Sequence, residues 1–467
     1  MKFHSLLACV LIVLASTAMA AENTKPPNIV FILADDLGWT DLAVQGSKYY
    51  ETPNIDRLAA QGTRFMRYYN CQNCAPTRAA LISGQYAPRT GVYNVGSIDR
   101  FAWRTRTLRP VDNSEELPMD KITIAQSLKA AGYSTAMFGK WGLQNKGPQH
   151  PGKRGFDEAI TSIGKHFDFD TNPKTPYAPG TYLADFLTDK AEDFIRRHKD
   201  GPFFLYLPHF GVHEPFQAKT NLIAHFKPKP PVDGHRSPTY AAMIASVDES
   251  VGRLMALLDE LKIADNTVVI FSSDNGGVDK ITSNLPLRDA KGSLYDGGTR
   301  DPFIVRWPGV TKPGTTNDVP AIHVDLYPTL LDIAAAKPPA NYPLDGESLV
   351  PLFRDNGASL KRDAIYQHFP GYLGPENNPR ATPVGVIIAG DWKLMEFFED
   401  HRLELYNLRA DIGEKTNLVT KIPDKTKELY AKMLAWREAI KAPMPTPNIP
   451  IKTASNPNPD NKKKTYE

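Results

Sequence analysis

Residues 28–36 read Asn-Ile-Val-Phe-Ile-Leu-Ala-Asp-Asp, an apolar run that ends in two aspartates. A continuous apolar run of this length is typical of a strand buried on both faces, as in a parallel sheet. Further segments alternate: helices are predicted at 52–62, 76–82, 122–131, 182–198 and 240–261, and strands at 133–138, 203–207 and 267–272. The alternation predicts an α/β fold with a large, mostly parallel sheet flanked by helices. Thr52 is the expected N-cap of the first helix, with Pro53 at its first position.

The pattern changes after about residue 360. Short strand-like runs at 364–368, 384–388, 392–397 and 403–406 predict a small antiparallel sheet, and 424–440 predicts a helix that covers it. We therefore expect a catalytic domain at 26–360 and a C-terminal subdomain at 361–441. Residues 442–467 form a tail rich in Pro, Asn and Lys, expected to be disordered or draped over the surface.

The N-terminus has the pattern of a cleaved signal peptide, residues 1–20. Lys2 supplies a positive start, residues 6–15 are apolar, and Ala18-Met19-Ala20 fits a small-x-small cleavage site. We therefore expect a periplasmic or secreted protein, and no segment is long and apolar enough to predict a membrane span. The net charge is only +3, and no nucleic-acid motif is present, so a nucleic-acid partner is not expected.

The strongest chemical signal is Cys74-Ala-Pro-Thr-Arg78, followed by Ala-Ala-Leu-Ile-Ser-Gly84. Arg78 lies four residues after Cys74, so both side chains share one helix face. Cys71 and Cys74 also form a Cys-x-x-Cys pair, which suits a redox motif or half a zinc site. The sequence has no second pair to complete a zinc site, so Cys71 is expected to be a small buried thiol.

Two acidic pairs, Asp35-Asp36 and Asp274-Asn275, each follow an apolar strand. Ligands gather at the carboxyl ends of strands in open α/β sheets, so the pairs are expected to meet there. Four oxygen-bearing side chains suit a hard cation such as Ca²⁺. Either pair alone would more often be a solvated turn or a helix cap.

The cysteine motif resembles the Cys-x-Pro-Ser-Arg signature of type I sulfatases, in the alkaline phosphatase superfamily, with Thr77 in place of Ser. The resemblance implies that a formylglycine-generating or sulfatase-maturating enzyme oxidises Cys74 to formylglycine. The hydrated aldehyde would attack sulfur, with Arg78 holding negative charge. It also implies one Ca²⁺ held by five residues: Asp35, Asp36, Cys74, Asp274 and Asn275.

Other segments carry the same resemblance. Gly139-Lys140-Trp141 resembles the start of the family's Gly-Lys-Trp-His-Leu-Gly, 208–215 its His-x-Pro-His segment, and 291–302 a second family signature. By this resemblance Lys140 and Lys291 bind sulfate, and His213 rather than His209 protonates the leaving oxygen.

The chain departs from the family at Gly142, where relatives have a histidine that helps deprotonate the sulfated diol. Two replacements stay open: His166 from another loop, or water acting on an acidified diol.

The expected substrate is a sulfated glycan. Arg100 and Arg104 lie in a stretch rich in arginine and aromatic residues, and the segment around His368 resembles carbohydrate sulfatases acting on galactose-type sugars. The expected substrate contacts are Arg100, Arg104, His166 and His368. The alternatives are a formylglycine-dependent phosphonate monoester or phosphodiester hydrolase, and a catalytically inactive glycan-binding relative. The absence of histidine at position 142 is the only hint of inactivity.

Overall fold

The computed structural model describes residues 25–449, so the predicted signal peptide and residues 450–467 lie outside the described residues. The strands are β1 Asn28–Ala34, β2 Thr63–Tyr69, β3 Leu108–Arg109, β4 Ser134–Gly139, β5 Glu158–Thr161, β6 Phe203–Pro208, β7 Thr267–Ser273, β8 Arg300–Arg306, β9 Thr315–Asn317, β10 Ala321–Ile322, β11 Ile365–Phe369, β12 Val384–Ala389, β13 Trp392–Phe397, β14 Arg402–Asn407 and β15 Thr446–Pro447. The helices are α1 Pro53–Ala60, α2 Cys74–Ser83, α3 Ala87–Thr90, α4 Ile124–Ala130, α5 Leu183–His198, α6 Thr220–Phe226, α7 Pro238–Glu260, α8 Asp296–Thr299, α9 Leu326–Ile333, α10 Val350–Arg354 and α11 Pro423–Ala439.

The large sheet has the order β10-β2-β8-β7-β1-β6-β4-β5, with β9 beside β2. Its centre is parallel: β1 lies between β6 and β7, with Val30 opposite Leu205 and Val269. Every residue of β1 is buried. The prediction of a mostly parallel α/β sheet is therefore confirmed, and it places the carboxyl ends of β1, β4, β6 and β7 along one edge.

Two strands of this sheet, β2 and the antiparallel β8, were not predicted. β8 runs antiparallel to both β2 and β7. Both strands contain charged residues, and Pro302 lies within β8, features that usually argue against a buried strand. Distant partners satisfy these charges: Arg67 donates to Asp391 Oδ1 at 2.9 Å, and Asp301 Oδ2 accepts from Asn70 at 2.9 Å.

The core lies on both faces of the sheet. Successive residues of β1 face opposite sides, so Val30 and Ile32 pack with α5 and α7, whereas Phe31 and Leu33 pack with α2, α4 and α9. Each large apolar side chain buried in this way contributes roughly 1.5 to 3 kcal/mol. The helices are thereby fixed at their positions around the strand ends.

Thr52 is the N-cap residue of α1 as predicted, but its side chain makes no capping hydrogen bond to the helix. Its Oγ1 accepts a hydrogen bond from Ala43 N at 2.9 Å and donates to Asp56 Oδ1 at 2.8 Å, so it joins the preceding turn to the helix instead. Pro53 does occupy the first position of α1 as predicted.

The second sheet is antiparallel, with the order β11-β12-β13-β14, and α11 packs against it. This confirms the predicted C-terminal sheet and helix. The described part of the tail contributes β15, which pairs with β3 through Thr446 opposite Arg109. Among residues 25–449, none of the helices has the length and apolar character needed to cross a membrane.

Candidate active site

The ends of β1 and β7 bring the two acidic pairs together. The strands are adjacent and parallel, with Ala34 opposite Ser273, so the residues that follow them meet. The main-chain N–H of Asp36 donates to Asp274 Oδ1 at 3.2 Å, and Asn275 Nδ2 donates to Asp36 Oδ1 at 2.9 Å. Asp36 has a φ of 63°, so the chain turns sharply here and aims its carboxylate back over the strand ends.

Cys74 is the first residue of α2, and its side chain is buried beside this acidic cluster. Ligand atoms of Asp35, Cys74 and Asp274 all lie within 4.8 Å of one another. Asn73 caps the helix, because its Oδ1 accepts from Cys74 N at 2.9 Å. Sequence analysis missed Asn73, although asparagine directly before a helix is a strong N-cap signal. The helix N-terminus adds partial positive charge at Cys74, which favours an anion.

Arg78 is fully buried beneath Cys74. Its Nε donates to Asp274 Oδ2 at 2.8 Å, and its Nη1 donates to the carbonyl of Lys140 at 2.6 Å. Arg78 Nη2 also lies 2.7 Å from Asp274 Oδ2 and 3.8 Å from Asp35 Oδ1. The guanidinium is therefore held in one orientation by both acidic strand ends and by the turn after β4.

Lys140, His213 and Lys291 complete the cluster. Lys140 follows β4, and its Nζ donates to Asp35 Oδ2 at 2.5 Å. Lys291 donates to the two oxygens of Asp36 at 2.6 and 2.8 Å. His213 follows β6, and its Nε2 lies 3.8 Å from Asp36 Oδ2. The structure thus collects every predicted catalytic and metal residue at one edge of the sheet.

The cluster balances three carboxylates against three cations. Burial raises the pKa of Asp274 to about 6, with Asp35 adding to the effect over the opposing influence of Arg78. Burial alone would also raise the pKa of Asp36, but Lys291 and His213 hold it well below its usual range. Burial and the nearby lysines lower the pKa of His213 to about 3. The three carboxylates and three cations together carry no net charge. A divalent cation bound among them would make the pocket positive, which suits an anionic ester.

The donor set fits a hard cation. Asp35 Oδ1 and Asn275 Oδ1 are buried and have no hydrogen-bond partner among residues 25–449. A buried oxygen left without a partner costs about 1 to 3 kcal/mol, so such atoms call for a ligand. Carboxylate and amide oxygens are the ligands that Ca²⁺ prefers.

Gly142 lies against Arg78. Its φ is +76°, and a Cβ at this position would lie 2.5 Å from Arg78 Cδ. A histidine here would therefore collide with the arginine as the structure places it. Glycine at this position leaves the space that the Arg78 side chain occupies.

His166 and His209 do not face the space over Cys74. His166 is 1% exposed, and its Nε2 lies 2.8 Å from the carbonyl oxygen of His213. This corrects the expectation that His166 contacts substrate, because the ring is enclosed behind His213. His209 is fully buried against Ser250, with 3.0 Å between Nε2 and Oγ, in the structural place expected for it.

His368 is mostly buried. Its Nε2 donates to the carbonyl of Pro443 at 2.8 Å, and its ring packs against Phe398 with 5.5 Å between ring centroids. It also lines a small pocket with Tyr93 and Tyr366, and its contact with substrate stays a prediction. Arg100 and Arg104 lie on an exposed loop, where Arg104 pairs with Asp99 at 2.6 Å. Their contact with substrate stays a prediction.

Fold and site together define an α/β protein with a pocket lined by cationic side chains at the carboxyl edge of the sheet, which suits an anionic ester. Comparison with known proteins agrees. The family model described as Sulfatase matches residues 27–336, and that of the N-sulphoglucosamine sulphohydrolase C-terminal region matches 289–440. The chain belongs to the sulfatase family and is a sulfuric ester hydrolase.

Several relatives span most of the chain. A sulfatase of Formosa agariphila is 36% identical over 91% of this chain and 91% of its own length. The N-acetylgalactosamine-6-sulfatase of Mus musculus is 34% identical over 84% of this chain and 76% of its own length. The crystal structure of Ps i-CgsB in complex with k-i-k-neocarrahexaose superposes with a TM-score of 0.76 at 31% identity, over 88% of this chain and 93% of that one.

Proposed function

We propose that this enzyme hydrolyses sulfate esters of carbohydrates, using Cys74 converted to formylglycine and one calcium ion. The observation that carries the proposal is the convergence at one sheet edge of a helix-start cysteine, three cations and three carboxylates. This composition suits an anionic substrate, a nucleophile and a metal in one pocket. Catalysis by an unmodified Cys74 thiol would not explain the buried oxygens of Asp35 and Asn275 that have no hydrogen-bond partner.

The residues proposed to hold calcium are Asp35, Asp36, Asp274, Asn275 and the modified Cys74. Asp35 and Asn275 each have a buried oxygen without a partner, Asp35 and Asp274 lie against Cys74, and Asp36 accepts from Asn275 and Lys291 beside them. A bound calcium ion supplies positive charge beside sulfur and orients the oxygens around it. The chain itself provides the rest of the anion site. Arg78 and Lys140 approach from the sides of α2 and β4, and Lys291 from the side of β7.

Formylglycine at Cys74 explains why the nucleophile lies at a helix start among cations. The hydrated aldehyde offers two hydroxyls on one carbon, one to attack sulfur and one to let the carbon return to the aldehyde as sulfate leaves. The sugar oxygen leaves with a proton, for which His213 is the proposed donor. A bound sulfate offsets the charges of Lys140 and Lys291, which lower the pKa of His213.

A sulfated sugar of galactose type is the proposed substrate. A shallow groove is lined by Tyr93, Asn94, Phe369 and Tyr372. Asn94 links this groove to the start of α2, because its Oδ1 accepts from the side chain of the N-cap, Asn73, at 3.0 Å. Aromatic faces and amides suit a sugar ring. The names of two relatives, one for N-acetylgalactosamine 6-sulfate and one with a bound neocarrahexaose, support this substrate class.

Two proposals concern the export and maturation of the protein. We propose that residues 1–20 are removed on export to the periplasm or the medium, and that a formylglycine-generating or sulfatase-maturating enzyme modifies Cys74. We also keep 26–360 as the catalytic domain and 361–441 as the C-terminal subdomain.

Replacing Cys74 by serine tests the nucleophile. The serine hydroxyl can attack sulfur once, but the resulting serine sulfate has no second hydroxyl and must wait for slow hydrolysis. We expect at most one turnover, with sulfate covalently bound to the peptide containing residue 74 in mass spectrometry. The wild-type peptide, from a host that performs the modification, should carry an aldehyde that reacts with hydrazides.

Sustained turnover by Cys74→Ser, or an active wild type with an unmodified thiol, would contradict the formylglycine mechanism. Cys74→Ala is the matched control, since it should be inactive without accumulating bound sulfate. Nitrophenyl sulfate should be turned over faster than the corresponding phosphonate and phosphate esters. A preference for the phosphonate would favour the alternative hydrolase activity.

Removing the metal tests the calcium proposal. A chelated wild-type protein should lose activity and melt at a lower temperature, and Ca²⁺ should restore both. At a calcium concentration 100 times the Kd, binding stabilises the native state by about 2.7 kcal/mol. In Asp274→Ala, adding Ca²⁺ should leave the melting temperature unchanged, as measured by differential scanning fluorimetry. Full activity of metal-free wild type would refute the proposal.

A further inference from the structure

His166 contacts the main chain of His213 directly. It lies in the loop between β5 and α5, and its Nε2 is 2.8 Å from the His213 carbonyl oxygen. A carbonyl oxygen can only accept a hydrogen bond, so Nε2 carries the proton and donates. The contact joins two loops that are 47 residues apart in the sequence.

The His166 ring is held from both sides. It stacks on Phe210 with 4.9 Å between ring centroids, and on Tyr182 with 5.7 Å between centroids. Its own main chain is also tied, because its N–H donates to Gln217 Oε1 at 3.1 Å and its carbonyl accepts from Leu183 N at 2.8 Å. The donor that reaches His213 therefore has little freedom to move.

The same packing extends to the His213 ring. Phe210 lies between the two histidines, with its centroid 5.1 Å from that of His213. His213 Nδ1 donates to the Glu214 carbonyl at 2.6 Å, which leaves Nε2 as the nitrogen on the side of Asp36. The orientation of this ring depends on the turn at 213–214, and His166 holds that turn.

We propose that His166 is a positioning residue that fixes His213 for proton donation to the leaving oxygen, an inference that rests on the role proposed for His213. His166 does not replace the missing family histidine as a base. Its ring is enclosed, and burial lowers its pKa to about 4, consistent with a neutral donor. A general acid that is misplaced by even a fraction of an ångström loses efficiency, because proton transfer needs hydrogen-bond distance.

Two substitutions separate the hydrogen bond from the packing. His166→Phe keeps a ring between Phe210 and Tyr182 but removes the donor, whereas His166→Gln keeps a donor near the position of Nε2. Each is compared with His213→Ala on a sugar sulfate, whose alkoxide needs a proton to leave, and on nitrophenyl sulfate, whose phenolate does not. Melting temperatures report whether each variant is folded.

We expect His213→Ala to lower kcat on the sugar sulfate at least 100-fold with a much smaller loss on nitrophenyl sulfate. His166→Phe should lower kcat on the sugar sulfate roughly tenfold with KM nearly unchanged and little effect on nitrophenyl sulfate. His166→Gln should retain more sugar-sulfate turnover than His166→Phe. In the His213→Ala background, His166→Phe should cause no further loss of kcat.

Each outcome has a distinct meaning. Equal losses on both substrates in His213→Ala would overturn the acid role itself. A selective loss in His213→Ala with equal losses, additive losses or no loss in His166→Phe would overturn only the positioning role. If His166→Phe does not fold, ¹⁵N-histidine NMR of the wild type decides, because the proposal requires a neutral His166 with its proton on Nε2. A proton on Nδ1 would overturn it.

Discussion

Gly142 leaves the space that the side chain of Arg78 occupies. Arg78 reaches across Gly142 to donate to the carbonyl of Lys140 at 2.6 Å and to Asp274 at 2.8 Å. A side chain at 142 would displace an arginine that has no other space, because it is fully buried. The residue that looks like a loss in the motif is therefore required by the arrangement of the anion site.

Gly142→His, which installs the family residue, should abolish most of the activity. The φ of +76° and a Cβ 2.5 Å from Arg78 Cδ force the arginine away from the sulfate site. Losing one aligned charge donor lowers kcat by roughly 100-fold, measured on nitrophenyl sulfate. Gly147→His is the matched control: its φ of +55° is also left-handed, but no atom lies within 4 Å of its Cβ position. Higher activity in Gly142→His would show that Arg78 can adapt and that a base was missing.

At the scale of elements, the apolar strands were predictable because their signal is local. β1 and β7 are continuous apolar runs, and their adjacency followed from the parallel α/β pattern. β2 and β8 were not predicted, because some of their charges are satisfied by partners more than 200 residues away, such as Asp391 for Arg67 and Asn70 for Asp301. The same distinction separates the features of the site that the sequence could predict from those that it could not. Motifs identified its residues, but contacts between loops, such as His166 with His213, have no sequence signature.

His368, in β11, should make the stability of the protein depend on pH. Burial lowers the pKa of His368 to about 4 from its ordinary value of 6.5. A histidine whose folded pKa is depressed contributes full stability above pH 6.5 and loses it as pH falls towards 4. Between pH 8 and pH 5, the titration of His368 alone should lower the free energy of unfolding by about 2 kcal/mol. Urea unfolding of wild type and His368→Gln at both pH values measures it.

His368→Gln keeps a donor for the Pro443 carbonyl but does not titrate, so its free energy of unfolding should fall by about 2 kcal/mol less than that of wild type over this range. The other buried histidines contribute equally to both proteins. An identical pH dependence in the two proteins would show that His368 can be protonated in place.

At the scale of the whole molecule, the two sheets are joined by a buried ion cluster next to the active site. Lys393 of β13 lies 2.9 Å from Asp296 Oδ1 and 2.8 Å from Glu414 Oε1, and all three side chains are fully buried. Glu414 Oε2 also accepts from Asp296 N at 2.7 Å. Asp296 begins α8, five residues after Lys291. The C-terminal sheet is therefore tied to the segment that carries Lys291, one of the cations of the proposed anion site.

Lys393→Met should destabilise the protein by about 3 to 5 kcal/mol, because it leaves buried Glu414 without its cation and leaves Asp296 only the weaker pairing with Arg300 at 3.4 Å. Both carboxyls would then have raised pKa values in the folded state, and acids of that kind stabilise the fold at low pH and lose that contribution as pH rises. The deficit in the free energy of unfolding should thus be larger at pH 8 than at pH 6.

Lys432→Met is the matched control, because this lysine also pairs with an acid, Asp363, but at the surface, where a pair contributes about 0 to 1 kcal/mol. Adding Glu414→Gln to Lys393→Met removes one of the unpaired charges and should recover part of the loss, measured by urea unfolding. A deficit that does not depend on pH, or a double variant no more stable than Lys393→Met, would show that packing rather than charge joins the two sheets.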